Sequence, residues 1–463
     1  MERKVMERRF EIRKREILRD ADIQHEVSDG MVKRLEQFAQ PFIASLGRRE
    51  PKENARIYLC GLLSDVERKN VESIAYRHDR SRRGLQRFVG FASWEVEPLQ
   101  HELVRQVGAE LGEADGVLVV DPSAFPKCGT ESVGVQRQWL GRLGKVDNGQ
   151  VGIYLAYVSR QESALVDERL YLPGSWARDR VRRRKCGVPK SIRYQTRHAL
   201  ALEMVKTNGP FLPHTWIAGD DEMGRSSGFR RDLRALCERY LLAVPSNTGI
   251  RDLDSPPPAY GGRGQPPKQP FQRVDRWRDT VEEAAWTKVE VRDGEKGPLV
   301  TELVTRRVMA RTERGKPEST EELLIVTRTP EGNGTLKTDY YLSNAPSNTP
   351  PSELARVIKA EHRIEDGFQR AKSEAGLSDY EVRTWAGWHH HQILSLIALW
   401  FLILETRRGK KIYAGADGSG GSGPAGWTVA SSVRPHLPGL GDPQYSAKKP
   451  TERTGSVLLL HAT

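Results

Sequence analysis

Along the first 112 residues apolar positions recur every three or four residues with basic residues between them, as in MVKRLEQFAQPFIASL and ARIYLCGLLSDVERKNVESIA. That period gathers the apolar side chains on one helical face, so the chain is expected to open as a helical region. The pattern changes at ADGVLVVDPSAF, where Gly116–Val120 is a short β-rich run ending in Asp121. Pro122 lacks the donor that a ladder needs, which predicts the end of that strand. QVGIYLAYVS (Gln150–Ser159) reads as a second strand, ERLYLPG as a third, and IRYQTRHALALEMVK as a helix. HTWIAGDDEMG then repeats the first theme, with the apolar run Trp216–Ala218 leading into Asp220 and Asp221. FRRDLRALCER reads as a helix and YLLAVPS as another strand. Strands alternating with helices predict an α/β sheet.

From residue 246 to 321 the composition shifts. SPPPAYGGRGQPPKQP must be a loop, and AWTKVEVRDGEKGPLVTELVTRRVMART alternates around Gly-rich turns as a small antiparallel β insertion does. EELLIVTRT and TDYYLSNA return to strand character. TPPSELARVIKAEHRIEDGFQRAKSEAG has Pro at its start and Gly376 at its end, the punctuation of a helix. A tryptophan-rich helical stretch follows to about residue 411, and the Gly-, Ser- and Pro-rich tail from 412 to 463 is expected to be largely disordered. The expected units are a helical domain over 1–112, a first core part over 113–245, the insertion over 246–321 and a second core part over 322–411.

Composition narrows the function. With 37% hydrophobic and 29% charged residues the chain reads as soluble, and its net charge of +12 points to a polyanion, nucleic acid being the default. The cysteines Cys60, Cys128, Cys186 and Cys237 stand far apart without a C-x-x-C pair, which argues against a zinc site or a disulfide framework. The most apolar run, Ile393–Leu404, is shorter than the ~20 residues that cross a bilayer, so no membrane is expected and a cytoplasmic location is. Arg77, Arg80, Arg82, Arg83 and Arg87 alternate with Phe88, Phe91 and Trp94. They are either a solvated basic face or a DNA-binding domain whose arginines meet phosphates. The run ARDRVRRRKCGVPKSIR, with Arg182, Arg183 and Arg184, is likewise a phosphate track or a solvated loop. Lys127, Arg137, Gln138 and Lys145 follow Asp121 and are candidates to approach DNA. Trp286 in the insertion is a core residue or a ring that stacks on an unpaired base.

Three acidic positions stand out: Asp121 and Asp220 at strand ends, and Glu365 in the late helix. Spacings of four and seven place Glu361, Glu365 and Lys372 on one helical face. Such acids are turn and surface residues, or they converge at the ends of neighbouring strands as metal ligands. Two aspartates and a glutamate suit two Mg²⁺ ions roughly 4 Å apart, since Mg²⁺ takes hard oxygen ligands and a metal pair serves phosphodiester chemistry.

The blocks YLCGLLSDVERKNVESIA, DPSAFPKCGTESVGVQRQWLGRLGKVDNGQVGIYLAYVS, WIAGDDEMGRSSGFRRDLR and YEVRTWAGWHHHQILSLIALWFLILE occur in the order found in bacterial insertion-sequence DDE transposases. The chain resembles that family from about residue 30 to 410, and most of all the 701-type branch of the insertion-sequence-four superfamily. The resemblance implies an RNase H-like catalytic core with a β-rich insertion, preceded by an all-helical DNA-binding domain. It implies Asp121, Asp220 and Glu365 as catalytic ligands of two Mg²⁺ ions, with Mn²⁺ as a substitute. Lys372 takes the lysine position of the family's Tyr-x2-Arg-x3-Glu-x6-Lys signature, which grips phosphates at the element's end. Ile358 and Glu361 occupy the tyrosine and arginine positions, with Arg363 or Arg356 as substitutes for the arginine.

The implied activity is Mg-dependent cleavage at terminal inverted repeats followed by strand transfer into target DNA. The implied setting is a homodimeric synaptic complex at the bacterial nucleoid. A second reading, from Glu361 and the atypical tail, is a catalytically impaired or domesticated relative that only binds DNA.

Overall fold

The computed structural model describes residues 30–416 except 257, 263, 266, 295–296, 314–319 and 331–334. It divides into two compact units. Among the described residues, one comprises 30–89, 369–381 and 394–416. Its helices α1 (Met31–Ala44), α2 (Arg49–Leu62) and α3 (Val71–Arg77) arise from the apolar period read above. α4 (Arg82–Gly90) follows them. Phe38 of α1 packs on Phe401 at 5.2 Å between ring centroids, and Arg34 grips Glu405 through two hydrogen bonds of 2.8 and 2.6 Å. Lys69 is buried and donates to the carbonyls of Leu62 and Glu374, both at 2.6 Å. Several arginines of the basic stretch are paired on the surface, Arg77 with Asp65, Arg80 with Glu53 and Arg82 with Glu72.

The other unit comprises Gly90–Phe368 and Val382–Ile393. After α5 (Glu97–Leu111) come β1 (Val117–Pro126), β2 (Gln136–Leu140), β3 (Lys145–Val158) and β4 (Ser163–Leu170). Two short helices, α6 (Gly174–Arg178) and α7 (Arg180–Lys185), lead to α8 (Arg197–Asn208) and β5 (Trp216–Gly219). Next are α9 (Asp221–Arg225), α10 (Ser227–Ala235) and β6 (Tyr240–Ala243). β7 (Gly249–Asp252), β8 (Gln272–Arg273), α11 (Val274–Arg278), β9 (Thr287–Gly294) and β10 (Gly297–Ala310) occupy the composition-shifted stretch. β11 (Glu321–Pro330) and β12 (Leu336–Ser343) precede the long helices α12 (Pro351–Glu374) and α13 (Trp385–Ala416). α13 runs past the expected end at 411, and the rest of the expected tail, 417–463, lies outside the described residues.

All of these strands join one 12-stranded sheet, ordered β2-β3-β1-β5-β6-β12-β11-β10-β7-β8, with β4 on β3 and β9 on β10. β1 pairs antiparallel to β3 and parallel to β5, and β5 pairs parallel to β6. Val117–Val120 and Trp216–Ala218 are fully buried, as expected for central parallel strands covered on both faces. Each such aliphatic side chain contributes about 1.5–3 kcal/mol of burial. The insertion's strands do not form a sheet of their own: β12 pairs with β6, and β10 and β11 continue outward from it.

One expectation fails. Pro122 does not end β1, which stays paired to β3 as far as Pro126. β5 stops at Gly219, opposite Val120, so from Asp121 onward β1 has a neighbour on one side only. There a proline can turn its donorless nitrogen to the open side without losing a ladder bond.

Candidate active site

The parallel pairing of β1 and β5 ends at Val120↔Gly219. The next residues are Asp121 and Asp220, so the register sets the two aspartates side by side on strands about 4.8 Å apart. Asp121 is also directly opposite Tyr154 on β3, and directly opposed residues project from the same face. The Tyr154 ring meets Phe368 of α12 edge-on at 5.1 Å, so the Asp121 carboxylate projects from the face that α12 covers.

Asp220 is held by the helix that follows it. Its side chain caps α9 by accepting from the Met223 N–H at 3.0 Å, and its carbonyl accepts from Gly224 N–H at 3.0 Å. α9 lies so close to β6 that a Cβ on Gly224 would fall 1.9 Å from the Ala243 carbonyl oxygen. Burial pushes the Asp220 carboxyl up to about 7, with the Met223 hydrogen bond opposing and the charges of Glu222 and Asp221 assisting. Asp221 is exposed and pairs with Arg225 at 3.1 Å, while Glu222 is held by Arg197 at 2.8 Å. Of this acidic trio, Asp220 is therefore the carboxylate turned inward.

α12 carries the third acid and is fixed at several points. Trp216 Nε1 donates to Glu353 at 2.8 Å, Arg356 donates to the Asp115 carbonyl at 2.9 Å, and Arg363 donates to the Ser159 carbonyl at 3.0 Å. These contacts lay the helix across β5, β1 and β3. Glu365 is exposed on it, three residues before Phe368. Glu361, one turn earlier, is half-buried, and burial pushes its carboxyl up to about 8, helped by the charges of Asp220, Glu365 and Asp339. Lys337 opposes that shift.

Among the described residues no group of three or more His, Cys, Asp or Glu side chains is assembled closely enough to hold a metal ion. The donor set nevertheless fits a hard divalent cation. It offers carboxylate oxygens only, and Asp220 is held toward protonation by burial and by the neighbouring acids, a cost that a cation relieves.

The remaining candidates are scattered. Lys372 is half-buried on α12, seven residues beyond Glu365. Arg363 is engaged with Ser159 as described. Lys127 is half-buried at the end of β1, where its carbonyl accepts from Asn148 at 2.6 Å. Arg137 and Lys145 are exposed on the β2–β3 hairpin, Lys145 pairing with Asp147 at 2.8 Å. In α7, Arg182 lies over the Trp176 ring at 3.7 Å, and Arg183 donates to the carbonyls of Ala177, Pro189 and Ile192. Arg184 is exposed. Trp286 packs against the insertion's core, with the Arg328 guanidinium 4.3 Å from its ring centroid.

The three histidines at the start of α13, His389, His390 and His391, pack inward. His390 stacks on Trp94 at 3.6 Å, His391 is fully buried and His389 lies 3.4 Å from Glu168. No helix among the described residues is long and apolar enough to cross a membrane.

Residues 41–298, more than half of the chain, match the family described as DDE superfamily endonuclease. A protein of Microchaete diplosiphon named as a probable transposase for insertion sequence element IS701 is 25% identical over 328 residues, covering 70% of this chain and 74% of that one.

Proposed function

The chain belongs to the DDE superfamily of endonucleases, and from that premise we propose that it is a transposase that cuts and joins DNA at the ends of an insertion element. The observation that carries this reading is the register placing Asp121 beside Asp220 on the face covered by α12, the helix of Glu365. The order β4-β3-β1-β5-β6, antiparallel then parallel, supports an RNase H-like core. Asp121, Asp220 and Glu365 would hold the divalent cations, Mg²⁺ in the cell with Mn²⁺ as a substitute. A cation bound there supplies Lewis acidity, lowering the pKa of an attacking water or 3′-hydroxyl and stabilising the leaving oxygen.

The chain's own residues do the rest. α9 fixes the Asp220 carboxylate, α12 brings Glu365 over the sheet, and Lys372 with the exposed arginines positions phosphates. The substrates are duplex DNA at terminal inverted repeats and at the target site. By analogy with the family, a homodimer would pair two ends, working at the nucleoid. Membership in an endonuclease family favours this enzyme over a reading as a DNA-binding protein alone.

The test uses a labelled duplex taken from the DNA flanking the gene. Asp121→Ala and Glu365→Ala are expected to abolish Mg²⁺-dependent cleavage while leaving DNA binding largely intact. Full cleavage by Glu365→Ala would remove Glu365 from the site.

A further inference from the structure

Beyond the carboxylate end of the sheet, β1, β3 and β2 continue as a projecting arm. β1 runs on from Asp121 to Pro126, opposite Gly149, and β3 extends from there to Lys145, where a short 3-10 turn (Gly141–Leu143) joins it to β2. At about 3.3 Å per residue the tip lies roughly 30 Å from Asp121. The arm leaves the sheet on the side where the two aspartates sit, since β5 has already stopped at Gly219.

The tip is not finished as a solvent surface. Trp139 is 55% exposed, its cross-strand partner Val146 is 52% exposed, and Leu143 in the turn is 40% exposed. Among the described residues Trp139 is the only exposed tryptophan. Residues 136–147 carry Arg137, Arg142 and Lys145 against Asp147 alone. Arg137 and Trp139 alternate outward on β2, whereas Gln138 between them turns back and donates to the Gly149 carbonyl at 2.8 Å. One face of the ribbon therefore presents the Trp139 ring and Val146 with Arg137 beside them, while Lys145, opposite Leu140 and paired with Asp147 at 2.8 Å, lies on the other face.

We infer that this arm is a DNA-docking element that enters the major groove of duplex DNA, with Trp139, Val146 and Leu143 against the base edges and Arg137 and Lys145 on the flanking phosphates. The inference rests on the proposed action on DNA and adds the place where the duplex is held. A two-stranded β-ribbon fits the major groove, and apolar side chains there meet thymine methyl groups. The cations select a polyanion over a second copy of this chain, which carries a net charge of +12 itself. With a scissile phosphate at Asp121 and Asp220, a reach of roughly 30 Å corresponds to about nine base pairs, so the arm grips duplex nearly one turn from the cut.

The experiment measures binding of a fluorescein-labelled 40-base-pair duplex of mixed sequence to the full chain by anisotropy, together with tryptophan fluorescence. Trp139→Ala is expected to weaken binding about tenfold, and Trp139→Phe to lose most of the fluorescence quenching that duplex causes in the wild type. Arg137→Ala and Lys145→Ala are each expected to reduce the salt dependence by about one released counterion. Unchanged melting temperatures for these surface variants, read by circular dichroism, exclude a folding effect. Wild-type affinity and quenching in the Trp139 variants would overturn the arm while leaving DNA binding in place. A change of oligomeric state in sedimentation, with DNA affinity unchanged, would overturn it in favour of contact between copies. Absence of duplex binding by the wild type would overturn the DNA reading itself and the arm with it.

Discussion

Glu361 stands in the field of Asp220: the aspartate's charge is the largest electrostatic contribution, after burial, to holding the Glu361 carboxyl near 8. The family signature calls for an arginine at this position, so a cation that would stabilise Asp220 in its ionised form is replaced by an anion that opposes it. Glu361→Arg is therefore expected to increase cleavage of a labelled end by about tenfold, the scale of one charge-assisted hydrogen bond of ~1.5 kcal/mol. Glu361→Gln removes the repulsion without adding attraction and should fall between the two. Single-turnover cleavage rates at saturating Mg²⁺ decide the order.

Asp220 has two duties, capping α9 and facing the site. Asn caps a helix as well as Asp does, while Ala does not, so Asp220→Asn should exceed Asp220→Ala in stability by about 1 kcal/mol. Neither variant should cleave. Urea denaturation alongside a cleavage assay separates the structural from the chemical duty.

A second buried acid group gives a pH signature away from the site. Burial pushes Glu168 up to about 8 and Asp167 up to about 6, and it pushes His389 down to about 3. Above about pH 7.5 Asp167 is ionised and His389 is neutral in both folded and unfolded chains, leaving Glu168 as the member of this trio that still titrates. Its folded form holds a proton that the unfolded form has lost, so stability falls as pH rises from 7.5 to 9, by about 1 kcal/mol. Glu361 and Asp220 act with the same sign. Glu168→Gln should remove the Glu168 share and raise the melting temperature at pH 8.5 relative to wild type, with little gain at pH 5.

Arg230 and Glu322 form a buried pair at 2.8 Å that ties α10 to β11, and Tyr240 donates to the same carboxylate at 2.5 Å. Glu322→Ala leaves the guanidinium uncompensated and should cost about 3–5 kcal/mol. Combining Arg230→Met with Glu322→Leu should recover most of that loss. Chemical denaturation of the single and double variants checks both statements.

The elements that carry the acids were legible because each writes a local pattern. Gly116–Val120 and Trp216–Ala218 are apolar runs that end in aspartate, and α12 has its proline and glycine punctuation. Their adjacency was not legible. Nothing local to either run states that Val120 pairs with Gly219, because parallel neighbours are joined through long crossovers. Pro122 misled for the same reason: whether a donorless residue breaks a strand depends on what lies beside it. Trp286 and Trp139 illustrate the limit for single side chains. Both are tryptophans near basic residues in sequence, yet one is packed under Arg328 and the other stands in solvent.

Gly224 sets a tolerance that the acids themselves do not reveal. With 1.9 Å between a would-be Cβ and the Ala243 oxygen, even a methyl group must lift α9 from β6 and carry the Asp220 carboxylate away from Asp121. A copy of this gene could thus keep all three acids, fold, and still be silenced by one added carbon. Screening for intact acidic residues would count that copy as alive.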